Sequence, residues 1–225
     1  MTIRTYLQGM VVAAIFSSTL LMAGKEIEVK IQLNQDELEN FQEWLIKHTE
    51  YKGEEQHTEY YLDNPQRSFY FDDKAKGFRD ALGSLRIRRT LKDDKFKDSY
   101  CYKYRHLDPE TGKTTHRDEH ELVVENADTM LDIMTCLGYT ERITIEKTRK
   151  LFATGDFEVC IDDVKNIGTF VEVELKKNDV EVKEGLALIY SFLKNHGLIK
   201  FKQYDRSYVH MITNPGFDFS YDVSL

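Results

Sequence analysis

The chain has 225 residues, 41% hydrophobic and 12% aromatic, enough apolar material for one buried core and too much for a disordered chain. Lys and Arg number 31 against 39 Asp and Glu, a formal net charge of −8, which excludes a general binder of nucleic acid or of anionic membrane. A polyanionic ligand in a locally basic pocket is still allowed.

Residues 1–24 carry Arg4 and then an apolar stretch, Met10–Ala23, broken by Ser17, Ser18 and Thr19. The stretch is short for a spanning helix and suits a signal-peptide core, yet no Ala-x-Ala cleavage signal precedes Lys25. Two readings stay open. An export or anchor segment would make the protein exported or membrane-anchored; translation from Met22 would leave a cytoplasmic chain. The domain reading starts at Lys25 either way and runs over 25–212, with 213–225 as a tail.

Lys25–Leu33 alternates polar and apolar residues and predicts a strand. Asn34–His48 predicts a helix with Leu38, Phe41, Leu45 and Ile46 on one face and Asn34 as its N-cap. Strands are expected at Gln56–Leu62, Ser84–Leu91, Ser99–Arg105 and Thr115–Glu125, with a longer connection and a short helical turn from Gln66 to Gly83. Ala127–Leu137 predicts a second amphipathic helix closed by Gly138. Strands then resume at Arg142–Ala153, Phe157–Asp163 and Gly168–Lys176, before a third helix at Lys183–Asn195. The tail after Asn214-Pro215-Gly216 has no helix period and is expected to be mobile. Cys101, Cys136 and Cys160 are too few and too scattered for a disulfide framework or a zinc site, and read as free thiols of a reducing compartment. The short connections predict an α+β fold, an eight-stranded, mainly antiparallel β-barrel with amphipathic helices packed outside.

Side chains at i, i+2 and i+4 of a strand share a face. Glu26, Glu28 and Lys30 therefore lie together, as do Arg86 with Arg88, Lys103 with Arg105, and Arg117 with Glu119 and Glu121. Lys147 lies with Arg149, Glu158 with Asp162, and Glu172 with Glu174. A polar strand face usually meets water. Here, however, the polar positions are almost all formal ions, with acids on the first and last strands and bases on the middle ones. Three amphipathic helices also need apolar sheet surface to cover, which turns the charged faces inward. Separate basic and acidic zones suit a polyphosphate plus a hard divalent cation, because Arg and Lys grip phosphate oxygens and carboxylates hold Mg2+.

Glu26-Ile27-Glu28-Val29-Lys30 resembles the ExExK signature of the CYTH, or triphosphate tunnel, superfamily, whose members include class IV adenylate cyclases and thiamine or inorganic triphosphatases. The resemblance continues in order over roughly Lys25–Ile212. Leu85-Arg86-Ile87-Arg88 is similar to the family's arginine strand and Tyr102-Lys103-Tyr104-Arg105 to its lysine strand. Glu119-x-Glu121 and Lys147-x-Arg149 follow, then the late signature from Asp162 to Glu174 and the C-terminal Arg206-Ser207-Tyr208-Val209. Thr58 departs from the pattern, standing where many relatives carry an acid, and reads as a peripheral change. The resemblance implies Mg2+ or Mn2+ as cofactor, with Glu28, Glu172 and Glu174 as metal ligands and Glu26 and Glu121 assisting. It implies a triphosphate clamp of Lys30, Arg86, Arg88, Lys103, Lys147 and Arg149. Lys30 and Asp162 are the candidate catalytic residues, Asp162 as a second metal ligand or as an orienter of the nucleophile. For Arg105, Arg117, Glu119 and Glu158, ion pairing within the barrel explains the residues at least as well.

No Gly-x-Ser-x-Gly elbow, HExxH or Walker loop is present, so catalysis would rest on positioning and charge neutralisation. The partner expected is a nucleoside or inorganic triphosphate. The late signature and the His57–Arg89 region resemble the class IV adenylate cyclase branch most, which implies conversion of ATP to cyclic AMP and pyrophosphate. The alternatives are a triphosphatase and a non-catalytic polyphosphate-binding module. The resemblance also implies a homodimer.

Overall fold

A computed structural model describes residues 24–66, 68–69, 82–177 and 179–225. The apolar N-terminal segment and most of the Gln66–Gly83 connection, with its expected helical turn, lie outside the described residues. Period-2 alternation becomes strands β1 (Gly24–Gln32), β2 (Glu50–Asp63), β3 (Gly83–Lys92), β4 (Lys95–Leu107), β5 (Thr114–Val124), β6 (Thr140–Thr154), β7 (Phe157–Val164) and β8 (Gly168–Leu175). Their order around the sheet is β1-β5-β4-β3-β2-β6-β7-β8, and β8 pairs back onto β1, closing an antiparallel eight-stranded barrel. Closure leaves these strands few free edges and gives each an inner and an outer face.

The three predicted helices form as α1 (Gln35–His48), α2 (Ala127–Cys136) and α3 (Val182–Asn195). The Asn34 side chain accepts from the Glu37 amide at 2.9 Å while Glu37 reaches back to the Asn34 amide, a reciprocal cap that sets where α1 begins. Asn126 caps α2 through the Thr129 amide. The main core lies outside the barrel, where Phe41 and Leu45 of α1 and Ile189 and Leu193 of α3 cover Ile27, Val29, Val159, Val171 and Val173 of the wall. Gly185 lets α3 approach closely, since a Cβ there would stand 2.6 Å from Ile27 Cδ1. Leu62, Leu85 and Ile87 turn outward beneath α2. With the apolar faces out and covered, the ionic faces point in.

Three elements go beyond the sequence reading: strand β9 (Lys200–Tyr204), the short helix α4 (Tyr208–Thr213) and strand β10 (Ser220–Ser224). β9 adds to β1 beyond its pairing with β5, and β10 adds to β9, so the tail expected to be mobile holds a strand. Tyr208, Val209 and Met211 of α4 pack with Tyr61, Ile145 and Phe170. All three cysteines are free, and among the described residues no helix is long and apolar enough to cross a membrane.

Candidate active site in the barrel lumen

The lumen encloses a cavity of about 200 Å³, and every sequence-predicted site residue except Asp162 lines it. The strand order explains how the charges are sorted. Most acids come from the contiguous strands β7, β8, β1 and β5, through Glu158, Glu172 and Glu174, Glu26 and Glu28, and Glu119 and Glu121, with Lys30, Arg117 and Lys176 set among them. Bases come from β4, β3 and β6 on the opposite wall, through Lys103, Arg86 and Arg88, and Lys147 and Arg149.

Two fully buried carboxylates hold the basic wall in shape. Glu59 of β2 has no exposed surface and lies 2.9 Å from Arg88 Nε, 3.3 Å from Arg86 Nη1 and 3.8 Å from Lys147 Nζ, while the Tyr61 hydroxyl donates to it at 2.9 Å. Burial opposes its charge, but the three cations outweigh that and hold its pKa well below the usual carboxylate range. Asp162, also fully buried, accepts from Lys147 Nζ at 2.8 Å, from Arg149 Nε and Nη2 at 2.6 Å each and from the Tyr208 hydroxyl at 3.0 Å. It therefore sits behind the cavity wall with its oxygens occupied by the clamp. Glu172 faces the cavity, 2.5 Å from Arg149 Nη2 and 3.2 Å from Lys30 Nζ, and Lys30 lies 3.9 Å above the Tyr208 ring. Burial and the neighbouring Arg149 lower the pKa of Lys147 against the pull of Asp162 and Glu59.

The acidic wall is differently poised. Glu28 and Glu174 are register partners on β1 and β8, and Glu174 and Glu158 are partners on β8 and β7, so carboxylates stand side by side. Burial, with Glu119 and Glu28 nearby, pushes Glu26 up to about 8 even though Lys103 lies 2.6 Å away. Glu174 is also raised, by burial first and then by Glu28, and only Lys176 offsets it closely. Each of these carboxylates has a cation beside it, Glu174 and Glu158 sharing only the half-exposed Lys176, and together they form an all-oxygen donor set of the kind that a hard divalent cation takes. Glu121 lies further along β5 and accepts from Ser99 Oγ at 2.8 Å. Of the residues for which ion pairing sufficed, Arg117 binds Glu28 at 2.5 Å and Glu119 binds Lys103 at 3.2 Å.

Sequence reasoning gave Glu59 and Tyr61 no place in this site, and gave Tyr208 a place in the C-terminal signature but no role. The signal for the first two was the alternation His57-x-Glu59-x-Tyr61, whose inward face belongs to a strand read mainly for its departure at Thr58. The acid lies one residue further on, opposite Arg88 in register.

His57 shares that inward face, and burial lowers its pKa to about 4, helped by Arg88 and Lys147. The folded state thus favours neutral imidazole, while the unfolded chain takes up a proton near the ordinary 6.5. Stability is fully present above that value and falls as pH drops toward 4, a loss of about 3 kcal/mol across the window. Urea unfolding of the wild type and His57→Gln at pH 7.5 and pH 4.5 checks this: the wild type should lose more of its stability than the variant.

A closed antiparallel barrel with acidic and basic residues lining its lumen is a tunnel architecture. The model of the CYTH domain family matches residues 24–208, and the chain belongs to that family. CYTH proteins bind triphosphates. The chain is 33% identical over 109 residues to the "Putative adenylate cyclase" of Methanocaldococcus jannaschii, a match spanning 48% of this chain and 58% of that relative. Its fold is similar to the PH1819 protein of Pyrococcus horikoshii, with a TM-score of 0.70 at 24% identity over 84% of this chain and 99% of the other. It is also similar to a "putative adenylyl cyclase" of Hippeastrum with a dominant triphosphatase activity, with a TM-score of 0.61 at 15% identity over 86% and 96% of the two chains.

Proposed function

We propose that the protein is a divalent-metal-dependent enzyme that threads a triphosphate through the barrel and hydrolyses its terminal phosphate. The observation that carries the reading is a lumen with one basic and one acidic wall, enclosing about 200 Å³. That space suits an unbranched phosphate chain and is below the roughly 300–1,000 Å³ of pockets that enclose larger organic ligands. Arg86, Arg88, Lys103, Lys147 and Arg149 would grip the phosphate oxygens, Arg in the bidentate manner that single ammonium groups cannot copy. Lys30, on β1 beside Glu172, would neutralise charge developing on the transferred group. Asp162 and Tyr208 act through others: they hold Lys147, Arg149 and Lys30 in position. Glu26, Glu28, Glu172 and Glu174 would hold Mg2+ or Mn2+, with Glu121 assisting. When bound, the ion neutralises phosphate oxygens and favours the attacking nucleophile.

The second reading is cyclisation of ATP. The M. jannaschii relative's name favours it, and a nucleoside would then have to lie at one mouth of the tunnel. Of the aromatic rings lining the cavity among the described residues, Tyr208 lies beneath Lys30 and Tyr61 is tied through its hydroxyl to Glu59. Incubating the full chain with tripolyphosphate, thiamine triphosphate and ATP, with Mg2+ or Mn2+ and with chelator, separates the readings. Metal-dependent release of orthophosphate is expected. Cyclic AMP with pyrophosphate would replace hydrolysis by cyclisation, and triphosphate binding without turnover in any metal would leave only a binding module.

A further inference from the structure

Outside the tunnel, His106 of β4 and His116 and Asp118 of β5 form a cluster that the proposed reaction does not use. Their inward neighbours Arg105 and Arg117 line the cavity, whereas these three side chains alternate to the opposite, outer face. His106 and His116 are directly paired in the β4–β5 register, and their rings stack at 4.3 Å with an interplanar angle of 2°. Asp118 Oδ2 lies 2.7 Å from His106 Nε2. One donor atom from each residue falls within 4.8 Å of the other two. We infer that this cluster is a second metal site, specific for a borderline divalent transition ion such as Zn2+ and separate from the hard-cation site in the lumen.

The donor chemistry sets the class of ion. Two imidazoles and one carboxylate suit Zn2+ and its neighbours, whereas the all-carboxylate wall of the lumen suits Mg2+ or Mn2+. Donors about 2.0–2.1 Å from a tetrahedral zinc stand about 3.3 Å apart, so side-chain rotations close the cluster without moving the strands. Hydrogen bonding also prepares the ligands. The Thr115 hydroxyl donates its one proton to the His106 carbonyl at 3.1 Å, so at its 3.0 Å contact with His116 Nδ1 it must accept. His116 therefore carries its proton on Nδ1 and leaves Nε2 free as a ligand, the arrangement that supporting hydrogen bonds impose on metal-bound histidines. At His106 the cation would take Nε2 in place of the contact with Asp118, the ring's single proton moving to Nδ1 so that the imidazole binds neutral. Lys25, paired with Asp118 across β1 and β5, sends its ammonium to the Val180 carbonyl at 2.8 Å and not to the carboxylate. His106 and Asp118 are 37% and 40% exposed, which gives the ion an entry path and leaves a fourth coordination position open to solvent.

The test is calorimetric titration of the full metal-free chain with Zn2+ in excess Mg2+, which keeps the lumen carboxylates occupied. One Zn2+ per chain is expected. Binding should be lost in His116→Ala and in the more conservative Asp118→Asn, and weakened about 10–100-fold in Thr115→Val, which removes a supporting hydrogen bond and no ligand. It should be unchanged in Glu28→Gln, with a cooperative thermal melt confirming that each variant is folded. Absence of binding in the wild type, full affinity in either His116→Ala or Asp118→Asn, or loss only in Glu28→Gln would each overturn the assignment.

Discussion

Glu59→Ala is expected to lower the unfolding free energy by about 3–5 kcal/mol, the cost of leaving buried charges unpaired. The magnitude follows from what stays behind. Arg86, Arg88 and Lys147 all lie within 4 Å of the Glu59 carboxylate, and none has the exposure to recover full hydration. A loss of that size lowers the melting temperature by about 10 °C in a chain of this length. Glu59→Gln, which keeps an acceptor but no charge, should fall between the wild type and the alanine variant. Tripolyphosphate should recover part of the loss, because an anion in the lumen replaces the missing counter-charge, and the gain in melting temperature should exceed the wild type's. A loss below about 1 kcal/mol in urea unfolding would mean that water reaches these cations freely, since exposed pairs are worth no more than that.

The residues that were legible in the sequence are those whose neighbours along one strand announce them. Arg86 with Arg88 and Glu172 with Glu174 stand two apart with apolar residues between, so the strand geometry alone puts each pair on one face. The need of three amphipathic helices for apolar sheet then chooses the face. β2 shows where this stops. Its first half, from Glu50 to Glu55, is nearly all polar and shows no period-2 alternation, and in the structure it carries a register shift between Tyr51 and Gly53, where Gly53 takes φ 109°. Glu59 stood in plain view as an ordinary strand acid, and only its position opposite Arg88 on β3 makes it the anchor of the basic wall.

The C-terminal elements were illegible for a different reason. β9 and β10 are five residues each and add to an edge, so their pairing, not a long internal pattern, defines them. Tyr208 opens a six-residue helix too short to announce itself by period, and it reaches Asp162 and Glu172 across sequence distances of 46 and 36 residues. The outer cluster at His106, His116 and Asp118 escaped because its spacing is set by the β4–β5 register and follows no linear metal motif. In each case the sequence fixes which face a residue takes along its own strand, while the partner on the next strand decides what it does.

Glu174→Gln and Glu28→Gln should lower activity together and move stability in opposite directions. Each carboxylate is a proposed ligand of the divalent ion, so either substitution is expected to reduce kcat by about 10²–10³-fold, as loss of a placed electrostatic group does. Their counter-charges differ. Glu28 is held by Arg117 at 2.5 Å inside the barrel, and its loss leaves that guanidinium unpaired. Glu174 stands beside Glu28 in register and is matched closely only by Lys176, whose side chain is half exposed and can turn to water. Neutralising Glu174 removes a like-charge contact at little cost, so the metal-free chain should gain about 0.5–2 kcal/mol, the gain available where function keeps a site strained. Glu28→Gln should instead be destabilised. Urea midpoints in chelator, set beside rates with Mn2+, give both signs. Full activity in Glu174→Gln would remove it from the metal-binding set, and a stability loss matching that of Glu28→Gln would mean that its bridge to Lys176 matters more than its repulsion of Glu28.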